Sequence, residues 1–333
     1  MDQPVRVLLC GTVFGRVYLR GVLKTGGYVL KGILSKGSAQ SRAVAAEYGL
    51  RLHTDLSEVS AGEYDLALVV VRSGIVGGSG SEIAAALLKK GISVVQEQPV
   101  HAEEAIENYR LARENGAAYL INTFYAYLPA SRVFHQEIGR MKAAGEKILR
   151  IGGSCSMPTL LPFLDQVCRA AGGVTPFAVN REHIIRQGVV TVVPLTVSRV
   201  PCLLEISGSL NREDIDKNAY ILNELRVSSS SRNLVMTEVN GQVVRIAKPY
   251  IAEEYLRETN HDSARDCSGT DVLYDASGRT FGTLYGEEWP QAVSAFLTEN
   301  EDTIRDRRCP ASHMQYYAAL CDLWKEVSGL LSR

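Results

Sequence analysis

The first 42 residues constrain this chain more than any other stretch. Val5 to Leu9 (VRVLL) is a short apolar strand that runs directly into Cys10-Gly11-Thr12-Val13-Phe14-Gly15, and Arg16 to Leu19 continue as the opening of a helix. A second apolar run, Tyr28 to Leu34, follows after a second glycine pair. A strand, a glycine turn, a helix and another strand make the first unit of a doubly wound parallel sheet, where the turn lies against a pyrophosphate. Glycine lets backbone N–H groups come close to the anion, and the helix N-terminus adds partial positive charge. The pattern departs from G-x-G-x-x-G. Gly11 and Gly15 are present, the middle glycine is missing and the turn is one residue short, so on its own it also fits an ordinary tight strand-to-helix turn. The candidate cofactor contacts in it are Gly11, Thr12, Phe14 and Gly15.

The end of the second strand selects between cofactors. A site for NAD usually places an acid there to hold the ribose 2′-hydroxyl. This chain has no acid between Tyr28 and Ala46 and offers Ser35, Lys36, Ser38, Ser41 and Arg42 instead. Hydroxyls and two cations suit a 2′-phosphate, so NADP(H) is expected over NAD(H), with Ser35, Lys36, Ser38 and Arg42 as contacts.

The chain has 333 residues, enough for about two domains. It is 46% apolar and 22% charged, which supports a sizeable core. The formal net charge of −1 shows no basic excess, so nucleic acid is not an expected partner. No apolar run is long enough to cross a membrane, and Met1-Asp2-Gln3-Pro4-Val5 has no basic stretch before an apolar core, so neither a membrane span nor a signal peptide is expected. The seven cysteines are dispersed, without C-x-x-C or zinc spacing. They fit reduced, mostly buried thiols in a cytoplasmic protein, and no metal site is expected.

Strands and helices alternate through the first half. Helices are expected at Ser41–Tyr48, Ser81–Lys90 and Ala102–Asn115, and strands at Asp65–Val71, Ile92–Gln96 and Tyr119–Phe124, with a Gly/Ser loop at Gly74–Gly80. This implies an N-terminal Rossmann doubly wound parallel sheet over residues 1–125. Beyond it, a helix near Ala130–Ala144 precedes β-rich runs at Ile148–Ser156, Val189–Val197, Cys202–Ser209, Glu224–Val227, Asn233–Glu238 and Gln242–Ile246, and Asn240-Gly241 marks a hairpin. Residues 126–333 are therefore expected to form an α+β domain on a mostly antiparallel sheet, serving substrate and oligomerisation. The last of its helices, over Ser312–Leu331, is a candidate to pack back on the first domain.

Ligands of an open parallel sheet gather at the carboxyl ends of its strands. Glu97-Gln98-Pro99-Val100-His101 stands at one such end and Asn122-Thr123-Phe124-Tyr125-Ala126-Tyr127 at the next. Hydride transfer to a double bond requires a proton for the neighbouring atom, and His101, Tyr125 and Tyr127 are the candidate donors.

With these residues in view, the chain resembles the glucose–fructose oxidoreductase and inositol dehydrogenase (Gfo/Idh/MocA) superfamily in domain order, in its Glu-x-Pro turn and in its β-rich second half. That superfamily's usual turn is Glu-Lys-Pro, with the lysine used in sugar oxidation, and it tends to carry G-x-H-x-x-D later in the chain. Here Gln98 replaces the lysine. In Leu160-Leu161-Pro162-Phe163-Leu164-Asp165 the aspartate matches, while Pro162 stands where the histidine would be. Neither base for taking a proton from an alcohol is in place.

One branch suits those departures. Through Cys10–Gly15 and Tyr18, Arg72-Ser73 with Gly77-Gly78-Ser79-Gly80, Gln96–His101 and Asn122–Tyr125, the chain resembles the thiazolinyl imine reductases of siderophore assembly lines, such as those for yersiniabactin and pyochelin. The likeness is clearest over residues 1–135. It implies NADPH as cofactor, with Arg72, Ser73, Glu97, Gln98 and Pro99 beside it, and a thiazoline C=N reduced to a thiazolidine while held as a thioester on a nonribosomal peptide synthetase carrier domain. It implies His101 and Tyr125 as proton donors, with Tyr127 a second choice. Homodimers are common in the superfamily. Two other functions stay open on the same fold: a non-catalytic NADP(H) sensor, and a reductase or dehydrogenase of small carbonyls or sugars.

Overall fold

The structure is a computed structural model that describes residues 3–74, 77–208, 219, 221–248 and 269–331. The chain gathers into two compact units, Met1–Leu128 with Thr280–Asp322, and Pro129–Arg279 with Leu323–Arg333.

In the first unit, strands β1 (Val5–Cys10), β2 (Tyr28–Leu34), β3 (Arg51–His53), β4 (Leu66–Val69), β5 (Ser93–Glu97) and β6 (Tyr119–Asn122) form one parallel sheet in the order β3-β2-β1-β4-β5-β6. Every residue of β4 is buried, which its sequence LALV allows. The connections include α1 (Gly15–Lys24), α2 (Ala39–Glu47), α3 (Gly80–Lys89) and α4 (Ala102–Glu114). Strand order reverses between β1 and β4, so the ends of these two strands flank the crevice where such sheets take ligands.

The sequence assigns everything after residue 125 to the second domain and returns at most the last helix. In the structure the whole segment Thr280–Asp322 belongs with the parallel sheet. The reason is close packing. A Cβ added at Gly21 of α1 would stand 2.5 Å from Val293 Cβ, so only glycine lets the helix Trp289–Glu299 lie directly on α1. The buried Tyr28 hydroxyl donates to the Leu297 carbonyl at 3.2 Å. Tyr317, on the helix Ala311–Leu331, accepts from Val100 N at 3.0 Å and donates to Val100 O at 2.9 Å.

In the second unit, α5 (Pro129–Ala143) and α6 (Leu160–Ala171) pack on a nine-stranded sheet. Its strands are β7 (Ile148–Ser156), β8 (Phe177–Val179), β9 (Ile185–Gln187), β10 (Val190–Val197), β11 (Val200–Ser207), β12 (Asn223–Ser229), β13 (Arg232–Met236), β14 (Val243–Ala247) and β15 (Thr270–Tyr274). All pairings are antiparallel except β7 with β11. Cys202, Leu204 and Ile206 point to the core and Leu203 outward, the alternation of a one-sided sheet. The Asn240-Gly241 hairpin joins β13 to β14.

Among the described residues six cysteines are free and buried; Cys267 lies outside them. No helix among the described residues is long and apolar enough to cross a membrane.

Candidate active site

The turn after β1 is built around one indispensable glycine. Gly11 has φ +91°, and a Cβ there would meet the Val70 carbonyl oxygen at 2.6 Å. Gly15 differs: it begins α1 with ordinary helical geometry, and a Cβ would lie in van der Waals contact with Leu9, 3.5 Å away. The first turn of α1 carries no acid and its N-cap, Phe14, makes no side-chain cap hydrogen bond. The orphan N–H groups and the helix dipole therefore face the crevice uncompensated, as an anion requires. Thr12 beside them is buried. This cradle fits a dinucleotide pyrophosphate.

At the end of β2, Gly37 takes φ +72° and donates its N–H to Ser35 Oγ at 3.2 Å. Ser38 caps α2 by accepting from Ser41 N at 3.2 Å. Lys36, Ser38 and Arg42 are exposed, and neither cation forms an ion pair among the described residues. The turn thus gathers Ser35, Lys36, Ser38 and Arg42 at the end of β2.

After β4, Gly80 N donates to Arg72 O at 2.8 Å and Gly78 N to Ser73 O at 2.9 Å. A Cβ at Gly78 or Gly80 would drive into the carbonyls of Arg72 or Val71, at 2.0 and 2.2 Å. These glycines make a tight fold of chain against Arg72; the Gly/Ser loop Gly74–Gly80 also contains residues 75 and 76, which lie outside the described residues. Ser73 is buried and its hydroxyl donates to the Pro99 carbonyl, tying this turn to the next strand end.

At the ends of β5 and β6 the side chains interlock. The Gln98–Pro99 peptide is cis. Gln98 Nε2 donates to Thr123 O at 2.8 Å, and Gln98 Oε1 is buried with no hydrogen-bond partner among the described residues. Thr123 O also accepts from Tyr125 N at 2.6 Å, and Phe124 between them has φ +59° and ψ −59°. This is a γ-turn of the rare positive-φ kind, a conformation that costs on the order of 1–3 kcal/mol in a residue with a side chain. Such strain persists only where the surroundings over-determine it. Here Asn122 Oδ1 accepts from Phe124 N at 2.8 Å, Asn122 Nδ2 donates to Tyr18 Oη at 2.8 Å, and Tyr18 donates to Glu97. Glu97 makes no ion pair among the described residues, and burial pushes its pKa well above the usual carboxylate range.

The candidate proton donors are placed differently. Tyr125 follows the strained residue directly, half-buried, its ring 6.0 Å from that of Phe124. His101 is the N-cap of α4, exposed, with no side-chain cap bond. Tyr127 packs edge-on against Phe296, with centroids 5.1 Å apart. Asp165 is fully buried in α6 of the second unit, where it accepts from Arg169 Nε at 2.9 Å, and Pro162 is buried in the same helix.

Sequence reasoning singles out Tyr18 and Asn122 only as motif letters and misses that they link α1 to the β6 turn. It also misses Trp289, whose ring lies 6.0 Å from Phe14 and 5.9 Å from Phe124. The sign available beforehand was chemical: an asparagine at a strand end whose amide can both donate and accept.

A parallel sheet with a glycine cradle at its switch point is the architecture of a dinucleotide-binding unit. Residues 5–123, somewhat more than a third of the chain, match the model of the oxidoreductase family GFO_IDH_MocA, NAD-binding Rossmann fold. No curated protein matches the sequence. The fold is similar to that of a levoglucosan dehydrogenase in complex with NADH and levoglucosan, at 12% identity over 99% of this chain and 98% of that one, TM-score 0.70. It is also similar to an oxidoreductase from Agrobacterium radiobacter bound to NAD+, L-tartaric acid and magnesium, at 11% identity over 97% and 95%, TM-score 0.69. A 3-ketoreductase from Actinomadura kijaniata, in complex with NADP and TDP-benzene, matches at 14% identity over 97% and 96%, TM-score 0.66.

Proposed function

We propose that this protein reduces the C=N bond of a thiazoline to a thiazolidine, using NADPH, on an intermediate tethered to a carrier domain of a nonribosomal peptide synthetase making a pyochelin- or yersiniabactin-like siderophore. The observation that carries this is Gln98. Where sugar dehydrogenases of the superfamily hold a lysine, this chain has an amide already engaged with the Thr123 carbonyl. An amide neither accepts nor releases a proton near neutral pH, so alcohol oxidation has no base there. Reduction of an imine needs only an acid.

Bound NADPH supplies the hydride for the imine carbon. Gly11, Thr12, Phe14 and Gly15 cradle its pyrophosphate; Ser35, Lys36, Ser38 and Arg42 hold the 2′-phosphate; Arg72, Ser73, Glu97, Gln98 and Pro99 line the path toward the nicotinamide end. The protein supplies the proton that the ring nitrogen takes up. Tyr125 is the hydroxyl presented by the β6 turn, and His101 is the exposed imidazole next along the edge. Tyr127, packed on Phe296, supports the turn. A carrier-borne thioester and NADPH both belong to the cytoplasm. Homodimerisation uses the outer face of the second sheet, where Leu203 stands 52% exposed.

The test is NADPH oxidation with a synthetic aryl-thiazolinyl thioester, beside NADH, sugars and small ketones. Thiazoline-dependent NADPH loss with a thiazolidine product is expected. Turnover of a sugar or ketone instead would make this a carbonyl or sugar enzyme, and tight NADPH binding with no turnover of any carrier-bound or free substrate would make it a sensor.

A further inference from the structure

Three side chains from three elements converge on one turn. Asn122, at the end of β6, is fully buried, and Phe124 N–H can bond only to an acceptor, so Oδ1 faces the turn and Nδ2 faces Tyr18. Tyr18, on α1 and 1% exposed, therefore accepts from Asn122 and turns its own hydroxyl hydrogen to Glu97 at the end of β5. The donors all run one way, from Phe124 N–H to Asn122, from Asn122 to Tyr18 and from Tyr18 to Glu97. From the other side Gln98 Nε2 grips the Thr123 carbonyl. The residue thus held, Phe124, is in a backbone conformation it would not keep unaided. Its neighbour is Tyr125.

We propose that Tyr18, Asn122 and Gln98 form a clamp on the Phe124 γ-turn whose task is to fix Tyr125, making Tyr18 a positioning residue for proton delivery although it lies on the cofactor-cradling helix. The proposal rests on the imine-reductase reading for the identity of the reaction, but the clamp itself does not. Tyr18 belongs to the same helix as the pyrophosphate cradle, so the clamp also ties the geometry of the proton donor to that of the cofactor site. A linked chain of bonds of this kind acts as a unit, and its members should be non-additive.

The test uses Tyr18→Phe and Asn122→Asp in the full chain. The second keeps the acceptor for Phe124 N–H while replacing the amide donor to Tyr18, which guards against a variant that fails to fold. The first measurement needs no substrate: hydrogen exchange of the Tyr125 amide, which the γ-turn bond protects. The clamp predicts exchange at least tenfold faster in Tyr18→Phe, with remote core amides unchanged; unchanged exchange at Tyr125 overturns it. The second measurement is steady-state kinetics with the thiazoline thioester in the wild-type and Tyr125→Phe backgrounds. Tyr18→Phe is expected to lower kcat about tenfold with KM for NADPH within about twofold, and to add less than about twofold once Tyr125 is already Phe. A full tenfold loss in both backgrounds overturns the route through Tyr125. If the wild-type protein does not reduce thiazolines at all, the functional reading fails, and the exchange experiment still decides the clamp.

Discussion

Gln98 Nε2 lies 2.8 Å from the carbonyl oxygen of Thr123, so the middle residue of the Glu97-Gln98-Pro99 turn is bonded to the backbone that presents Tyr125. Its other amide atom is buried without a partner among the described residues. Replacing Gln98 by Ala removes one hydrogen bond and one orphan acceptor together, two effects of opposite sign and each about 1 kcal/mol. Thermal stability should therefore change little, while kcat for thiazoline reduction falls at least about tenfold. A large loss of stability with kcat preserved would make Gln98 a structural residue.

The two exposed cations at the end of β2 should govern cofactor choice. A charge-assisted bond to phosphate contributes on the order of 1–2 kcal/mol, or about tenfold in affinity. Lys36→Ala and Arg42→Ala should each narrow the ratio of NADPH to NADH affinity by roughly that factor, with NADH binding nearly unchanged. Titrating both cofactors by fluorescence checks this, and an unaltered ratio in the double variant removes these residues from the 2′-phosphate site.

Gly11 and Gly15 look alike in the motif and should behave differently. Gly11→Ala forces a Cβ to 2.6 Å from a carbonyl at positive φ, so a loss of several kcal/mol, about 2–4, is expected in urea unfolding. Gly15→Ala adds an ordinary contact and a better helix former, so its effect on stability should stay within about 1 kcal/mol.

Two partly buried groups give stability opposite pH dependences. His135 accepts or donates at 2.9 Å with Gln166, and burial lowers its pKa to about 4. The folded protein binds this proton less readily than the unfolded chain, so stability is lost as pH falls from about 6.5 toward 4, on the order of 1 kcal/mol per unit. His135→Gln should flatten the decline of Tm on that side. Glu97 is shifted the other way: its pKa is raised, so the folded state favours the protonated carboxyl and its stabilisation is lost as pH rises. Glu97→Gln should gain Tm relative to wild type as pH increases, and a difference independent of pH would contradict a carboxyl held neutral in the folded state.

Much of the fold is legible in the residues, for identifiable reasons. The parallel sheet announces itself because its strands are continuous apolar runs between polar helices, as at Leu66–Val69, where all four residues are buried. Helix α6 is not legible: Pro162 stands inside it as a helix-breaking signal, and its first five residues, Leu160 to Leu164, hold no polar side chain to mark a helical period. Strand β3 spans three residues with one apolar side chain among them and offers no period to detect. The return of Thr280–Asp322 to the first unit depends on Gly21 meeting Val293, a contact between residues far apart in the chain that no local pattern carries. At the site, the strand ends are readable because ligand edges follow from topology. The clamp is not, since it requires knowing that Tyr18 of α1 stands beside both Glu97 and Asn122.

The central claim is hydride transfer to a ring C=N. The direct measurement is mass and NMR analysis of the product formed from NADPH deuterated at the transferring position and an aryl-thiazolinyl thioester. One deuterium on the former imine carbon of a thiazolidine, with the ring nitrogen protonated from solvent, is the predicted result. Recovery of unreduced thiazoline alongside deuterium in a ketone- or sugar-derived alcohol would contradict the account.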